Sequence, residues 1–224
     1  MKTIVVPDIH GRTFWKELKT KYKDFEGKIV FLGDYVDHYS YEDISWNDTI
    51  KNFIELIDFA RNNSNVILLI GNHDYHYIWD FGTSTRFSRK HYKELHKLYT
   101  DNIDLFKLSY YDEQNDILYS HAGVLQGWLD VLNIDIKDIN DLMIERPYDI
   151  WKVSEYRGGM DKFGSIIWAD LREHMKYERI NDHTIQIFGH TQLNSDYEII
   201  HDNIYCVDSK QLFIVNGRTI NLLK

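Results

Sequence analysis

The order of residues in this chain points to a mixed α/β fold, with two sheets and helices outside them. Three observations carry that expectation. Short runs of β-branched and other apolar residues alternate with helix-period segments through the first half. The C-terminal third is mostly strand-like. Finally, the runs Thr3–Val6, Ile29–Leu32, Val66–Ile70, Ile117–Tyr119 and Ile185–Phe188 are each followed at once by polar ligand-type residues beside a glycine or other small residue. Those fragments are Asp8-Ile9-His10-Gly11, Gly33-Asp34-Tyr35-Val36-Asp37, Gly71-Asn72-His73-Asp74, Ser120-His121-Ala122-Gly123 and Gly189-His190-Thr191. Strand followed by ligand, five times over, places the ligands along one edge of a sheet, where open α/β sheets bind their ligands.

Taken in order, the first strand leads into a helix over 12–23, with Phe14, Leu18 and Tyr22 at four-residue spacing. The second strand follows, then an aromatic and acidic loop over 35–47. An amphipathic helix over 48–61 turns Ile50, Phe53, Ile54 and Ile57 inward and delivers the chain to the third strand. Residues 73–108 read as helix in pieces. The segments 117–120, 166–169, 185–188, 197–200, 204–207, 212–216 and 219–223 read as strands. The expected assembly is βαβ units completed by antiparallel strands, in one domain spanning 1–224.

Length and composition agree with that. A chain of 224 residues with 43% hydrophobic and 15% aromatic content buries a sizeable core rather than remaining disordered. Two prolines and no Gly/Ser-rich stretch leave no linker. The formal net charge of −9 lacks the field that drives general binding to nucleic acid or anionic membranes. The single cysteine, Cys206, forms no internal disulfide and fits a reducing compartment. With no leader-like N-terminal run and no membrane-length apolar segment, a cytoplasmic protein is expected.

The ligand types point to two divalent cations. Such a pair, ~3.5–4 Å apart, needs a carboxylate that can bridge, with imidazoles and oxygen donors completing both shells. Asp8 and His10 are placed to serve one ion, Asp34 to bridge, and Asn72, His121 and His190 to close the second. Water held by two cations becomes a nucleophile near neutral pH. In-line attack on phosphorus then needs a proton donor opposite, for which His73 is the candidate, with Asp37 holding its ring. One Asp-x-His-Gly alone is an ordinary turn, but five such fragments in order, each ending an apolar run, are not explained by turn chemistry. His76, His91, His96, His174, His183 and His201 lack this context and read as ordinary.

These fragments resemble the calcineurin-like metallophosphoesterase superfamily, read as D-x-H, GD-x-x-D, G-N-H, H and G-H. More narrowly, Gly33–Asp37 as "GDYVD" and Phe188–Thr191 as "FGHT" resemble the bacterial and phage phosphoprotein-phosphatase (Ser/Thr phosphatase) branch. Ile167–Asp170 and Tyr205–Ser209 are similar to two later stretches of that branch. Gln192 stands where other members carry a second histidine, as expected of that branch. The resemblance implies a four-layer α/β/β/α sandwich, two metals (manganese, iron or zinc) and direct hydrolysis of a phosphorylated substrate.

The chain also departs from the branch pattern. His38 and Tyr39 follow Asp37 where an Arg-Gly pair is usual, Asp74 replaces a glutamate, and Pro7 stands for a glycine. The missing arginine matters because imidazole does not replace a bidentate phosphate clamp. His38, in that place, and Arg172, after Trp168, are the substrate-binding candidates, while Arg146 and Arg157 read as surface residues. Arg86, Lys90, Lys93 and Lys97 fall at helical spacing and read as a solvated stripe. Tyr35, Tyr39, Tyr41, Trp46, Tyr75, Tyr77, Trp79 and Phe81 are either core or a rim that stacks a base. Phosphoprotein and nucleotide therefore remain alternative substrates. A cysteine phosphatase is excluded because the residue six past Cys206 is Leu212, and no P-loop is present.

Overall fold

The computed structural model describes residues 2–80 and 82–223, so Phe81 lies outside the described residues. The chain divides into two compact units, Met1–Phe106 with Lys210–Lys224, and Lys107–Ser209. Each carries its own mixed sheet together with helices, so the architecture is α/β.

In the first unit β1 (Lys2–Val6), β2 (Lys28–Phe31) and β3 (Val66–Leu69) run parallel in that order. They are strands because their side chains are apolar on both faces and almost wholly buried, as parallel strands require. A helix, α1 (Trp46–Asn62), connects β2 to β3. Its start is set by Ser45, whose hydroxyl accepts from the Asp48 backbone N–H, two residues before the expected boundary. Ile50, Phe53, Leu56, Ile57 and Ala60 face inward, whereas Ile54 is exposed, so the buried stripe runs beside the one expected. The expected helix over 12–23 shrinks to a 3-10 turn, Phe14–Lys19, which buries Trp15 and Leu18 rather than Phe14.

After β3 come the short helix α2 (Asn72–Ile78) and α3 (Tyr92–Thr100), then β4 (Phe106–Lys107). In the second unit β5 (Ser109–Asp112) and β6 (Ile117–Ser120) form a hairpin pair, and α4 (Gln126–Leu132) follows. Two single-turn helices, α5 (Leu142–Glu145) and α6 (Pro147–Ile150), precede α7 (Leu171–Lys176). The strands β7 (Ile185–Phe188), β8 (Glu198–Ile200) and β9 (Ile204–Cys206) complete the second sheet, in the order β5-β6-β7-β9-β8. β6, β7 and β9 are parallel, with antiparallel strands at both edges. The chain then returns to the first sheet as β10 (Phe213–Asn216) and β11 (Thr219–Leu222), giving the order β11-β10-β1-β2-β3-β4.

The strand expected over 166–169 is a turn. Trp168 and Ala169 donate to the Ser165 carbonyl, and the Ser165 hydroxyl caps the Ile150 carbonyl. Ile166, Ile167 and Ala169 are buried without a ladder, so apolarity there reports burial and not pairing. Cys206 is buried in an apolar cluster with Leu171, Phe188, Ile200 and Ile204. No helix among the described residues is long and apolar enough to cross a membrane.

Candidate metal and phosphoester site

Three of the five fragments leave the C-terminal ends of the adjacent parallel strands β1, β2 and β3. That placement brings Asp8, His10, Asp34, Asp37, Asn72 and His73 to one edge, every one of them buried. The backbone is bent to do it: His10, Asp34 and Asp37 all sit at positive φ, 44°, 55° and 54°. Non-glycine residues in that region carry strain of order 1–3 kcal/mol each and cluster at working sites. Gly33, at φ 110°, needs the freedom of glycine, and a Cβ on Gly71 would come within 2.1 Å of Asp34 Oδ1. The Gly-Asp and Gly-Asn pairs thus let two backbones meet behind the carboxylate of Asp34.

Asp74 organises this corner. Fully buried, its carboxylate accepts from the backbone N–H groups of Gly71 (2.8 Å), Asp34 (2.7 Å) and Tyr35 (2.9 Å) and from the Tyr99 hydroxyl. Burial pushes its pKa upward, while those four donors pull it back. Asp34 Oδ1 in turn accepts from the His73 N–H at 2.8 Å.

The donor set fits a divalent cation. His10 Nδ1 lies 3.0 Å from the Val36 carbonyl, to which it donates, so Nε2 is the lone-pair nitrogen. That nitrogen lies 3.4 Å from Asp34 Oδ2, an acceptor facing an acceptor. Burial, with His73 and Arg86 adding to it, holds the His10 pKa well below the ordinary imidazole range, so the ring stays neutral and ligand-ready.

His73 and Asp37 meet as the sequence leads one to expect: His73 Nδ1 is 2.8 Å from Asp37 Oδ2. Asp37 also accepts from the Tyr77 hydroxyl at 2.6 Å, and His76 Nε2 lies 2.9 Å away. Burial alone would raise the Asp37 pKa, but the contacts from His73 and His76 outweigh it and keep the carboxylate ionised. Burial pushes His73 down to about 4, with Asp37 pulling the other way. His76 reads as ordinary by motif, yet three residues after His73 on α2 it shares that helix face, which is the signal that would have found it.

Arg86 is not part of a solvated stripe. Its Nε donates to the Asp37 carbonyl (2.9 Å), and Nη2 is 3.0 Å from His73 Nε2 and 3.4 Å from His10 Nε2. Lys90, Lys93 and Lys97 are exposed, as expected. His38 bonds Thr49 through Nδ1 at 2.9 Å and lies edge-on to Trp46. Of the aromatics, Tyr35, Tyr75 and Tyr77 are core, Tyr39, Trp46 and Trp79 are half-buried, and Tyr41 is exposed.

In the second unit the remaining two fragments follow the parallel neighbours β6 and β7. His121 is buried, and its Nε2 is 3.1 Å from His190 Nδ1. His190, at φ 64°, packs edge-on against Trp168. Behind His121, His174 Nε2 donates to the Ala122 carbonyl (3.0 Å), and burial lowers its pKa to about 4. Arg172 is paired to Asp170 and donates to the Tyr156 carbonyl with its side chain 59% exposed. Arg157, expected at the surface, is instead held by Asp170 (2.8 Å) and Thr191, the residue after His190. Arg146 pairs with Asp149 at the surface.

The calcineurin-like phosphoesterase family model matches residues 1–194, most of the chain. This chain belongs to that family. It is accordingly a metal-dependent phosphoesterase, an enzyme of a family that works with paired metal ions on phosphorylated substrates. No curated protein matches its sequence. Its fold is similar to that of a cold-active protein-tyrosine phosphatase from a psychrophilic Shewanella species, at 17% identity and TM-score 0.62, covering 100% of this chain and 80% of that one. It is likewise similar to a protein serine/threonine phosphatase from Saccharomyces cerevisiae, at 16% identity and TM-score 0.59, covering 100% of this chain and 80% of that one.

Proposed function

We propose that this phosphoesterase is a protein phosphatase of the serine/threonine type, acting as one catalytic domain. Asp8, His10, Asp34, Asn72, His121 and His190 are its metal ligands, and manganese the working ion. The "GDYVD" and "FGHT" fragments, and Gln192 in place of a second histidine, support that branch. When bound, two divalent cations supply the positive charge that activates water and stabilises the phosphoryl transition state.

The observation that carries the chemistry is the buried His73–Asp37 pair at 2.8 Å. Asp37 accepts a hydrogen bond from His73 Nδ1–H, fixing the tautomer so that Nε2 is the atom that faces the reaction. In the free protein burial keeps Nε2 unprotonated. An arriving phosphate dianion adds negative charge beside it, which favours the imidazolium needed to protonate the leaving oxygen. Asp74 holds the Asp34 and Tyr35 backbones in register, so the carboxylate of Asp34 and the ring of His73 keep their spacing. Arg172 and His38 are assigned to the outer contacts of the substrate.

The test is to compare kcat/KM of the manganese-loaded protein for a phosphothreonine peptide and for diadenosine tetraphosphate, with Asn72→Ala as the blank. Preference for the peptide supports the protein-phosphatase reading. Preference for the dinucleotide overturns it in favour of a nucleotide-directed hydrolase, with exposed Tyr41 and its neighbour Tyr39 as the base-stacking surface.

A further inference from the structure

We propose that Arg86 grips the substrate phosphate, replacing from a distant segment the arginine that position 38 lacks. The inference rests on the phosphoesterase reading above and names the residue that holds the phosphate in it.

Four contacts hold the guanidinium, one of them the 3.4 Å approach of Nη2 to His10 Nε2 described above. Nε donates to the Asp37 carbonyl at 2.9 Å, Cζ stacks 3.9 Å from the Tyr39 ring centroid, and Nη2 lies 3.0 Å from His73 Nε2. Asp37 and Tyr39 are the two neighbours of His38, so Arg86 is anchored on both sides of the position where the family pattern places its arginine. His38 itself is turned to Thr49 and Trp46. With Nε and one face of the fork committed to these anchors, Nη1 makes no hydrogen bond among the described residues, and Nη2 sits beside the nitrogen assigned to proton transfer. With Nε and Nη2 engaged in this way, the planar guanidinium keeps its charge and the Nη1 N–H donors for the non-bridging oxygens of a phosphate monoester.

The segment is shaped for the task. Arg86 is half-buried at φ 67°, a backbone conformation that a non-glycine residue adopts only when its surroundings hold it there. Two residues earlier, the Ser84 hydroxyl lies 3.2 Å from His73 Nδ1 and 3.1 Å from His76 Nδ1, tying the same segment to the proton-transfer pair. A stray surface arginine has no reason to be held by a main-chain carbonyl, an aromatic face and a buried histidine together.

The test is Arg86→Ala, Arg86→Lys and Arg86→Gln, with exposed Lys90→Ala as control. Each manganese-loaded protein is read for kcat/KM on p-nitrophenyl phosphate and for inorganic phosphate affinity by calorimetry. Removing a charged donor from a phosphoryl site costs on the order of 10²–10³ in rate. Arg86→Ala is therefore expected to lose about 100-fold in kcat/KM and at least about tenfold in phosphate affinity. Lysine, a point charge without the fork, restores only part of each, and added guanidinium rescues Arg86→Ala. Folding is followed by circular dichroism, and Arg86→Gln, which keeps length and polarity, repeats the measurement if alanine unfolds. Phosphate affinity within threefold of wild type in these variants overturns the proposal, including the case where kcat falls alone, because Arg86 then merely positions His73. Calorimetry needs no turnover. A wild type that binds phosphate through Arg86 but hydrolyses no ester therefore keeps this inference and sinks the activity reading.

Discussion

Replacing Asp74 with alanine tests how the strand ends are held. The carboxylate is fully buried and satisfies the N–H groups of Gly71, Asp34 and Tyr35 and the hydroxyl of Tyr99. Alanine leaves four donors facing a carboxylate-sized void. At about 1 kcal/mol for each buried donor left without a partner, the loss is about 4 kcal/mol, a large share of an ordinary domain's stability. Asparagine keeps one oxygen: placed at Oδ2 it still serves Gly71 and Asp34, and the Tyr99 hydroxyl can rotate to accept from the new amide. Only the Tyr35 N–H is then opposed, at a cost of about 1–2 kcal/mol. Urea denaturation of both variants with metal removed reads these values, and a midpoint shift at unchanged slope assigns them to stability. A loss for Asp74→Ala below about 1 kcal/mol, or Asp74→Asn as damaging as alanine, would refute the idea that this carboxylate stitches the Gly-Asp and Gly-Asn turns together.

His174 predicts an acid limb of stability: its pKa falls from 6.5 to about 4 on folding, so the native state sheds a proton that the unfolded chain keeps. Stability is then lost as pH drops from about 6.5 toward 4, by about 3 kcal/mol from this group; His174→Gln should flatten that limb in urea melts taken at pH 7 and pH 4.5. His73→Asn is expected to keep its metal and lose about 10²–10⁴ in kcat on substrates with poor leaving groups. Asp37→Asn should fall in the same direction because the tautomer is no longer fixed, and full activity of either on such substrates would remove the general-acid role. Asn72→Ala and His190→Ala are each expected to lose metal and activity together, read by elemental analysis beside turnover; loss of activity with full metal content would move that residue out of the ligand set.

Much of this was legible in the sequence because strand ends and turn glycines leave local marks. The apolar runs before Asp8, Asp34, Asn72, His121 and His190 are strands or pass directly from them, and the Asp37–His73 contact follows from neighbouring parallel strands β2 and β3. What stayed hidden depends on contacts distant in sequence. Ile166 and Ile167 look like a strand but are buried in a turn capped by Ser165. Ser109–Asp112 carries too little apolar character to be read as a strand, and its pairing with β6 decides it. Arg86 falls at helical spacing with Lys90, Lys93 and Lys97, yet α3 begins only at Tyr92, so spacing alone assigned it to a face that does not exist there. Asp74 could be seen only as a departure from the family pattern; its four donors come from Gly71, Asp34, Tyr35 and Tyr99.

The most direct test of the account is metal stoichiometry measured together with hydrolysis. The protein is stripped with chelator, reloaded with manganese, and analysed for metal content while turnover of p-nitrophenyl phosphate is followed in the same preparation. Two ions per chain, with hydrolysis that disappears on chelation and returns on reloading, is the predicted result. Hydrolysis that persists in the metal-free protein, or a fully loaded protein that cleaves no phosphate ester, would contradict it.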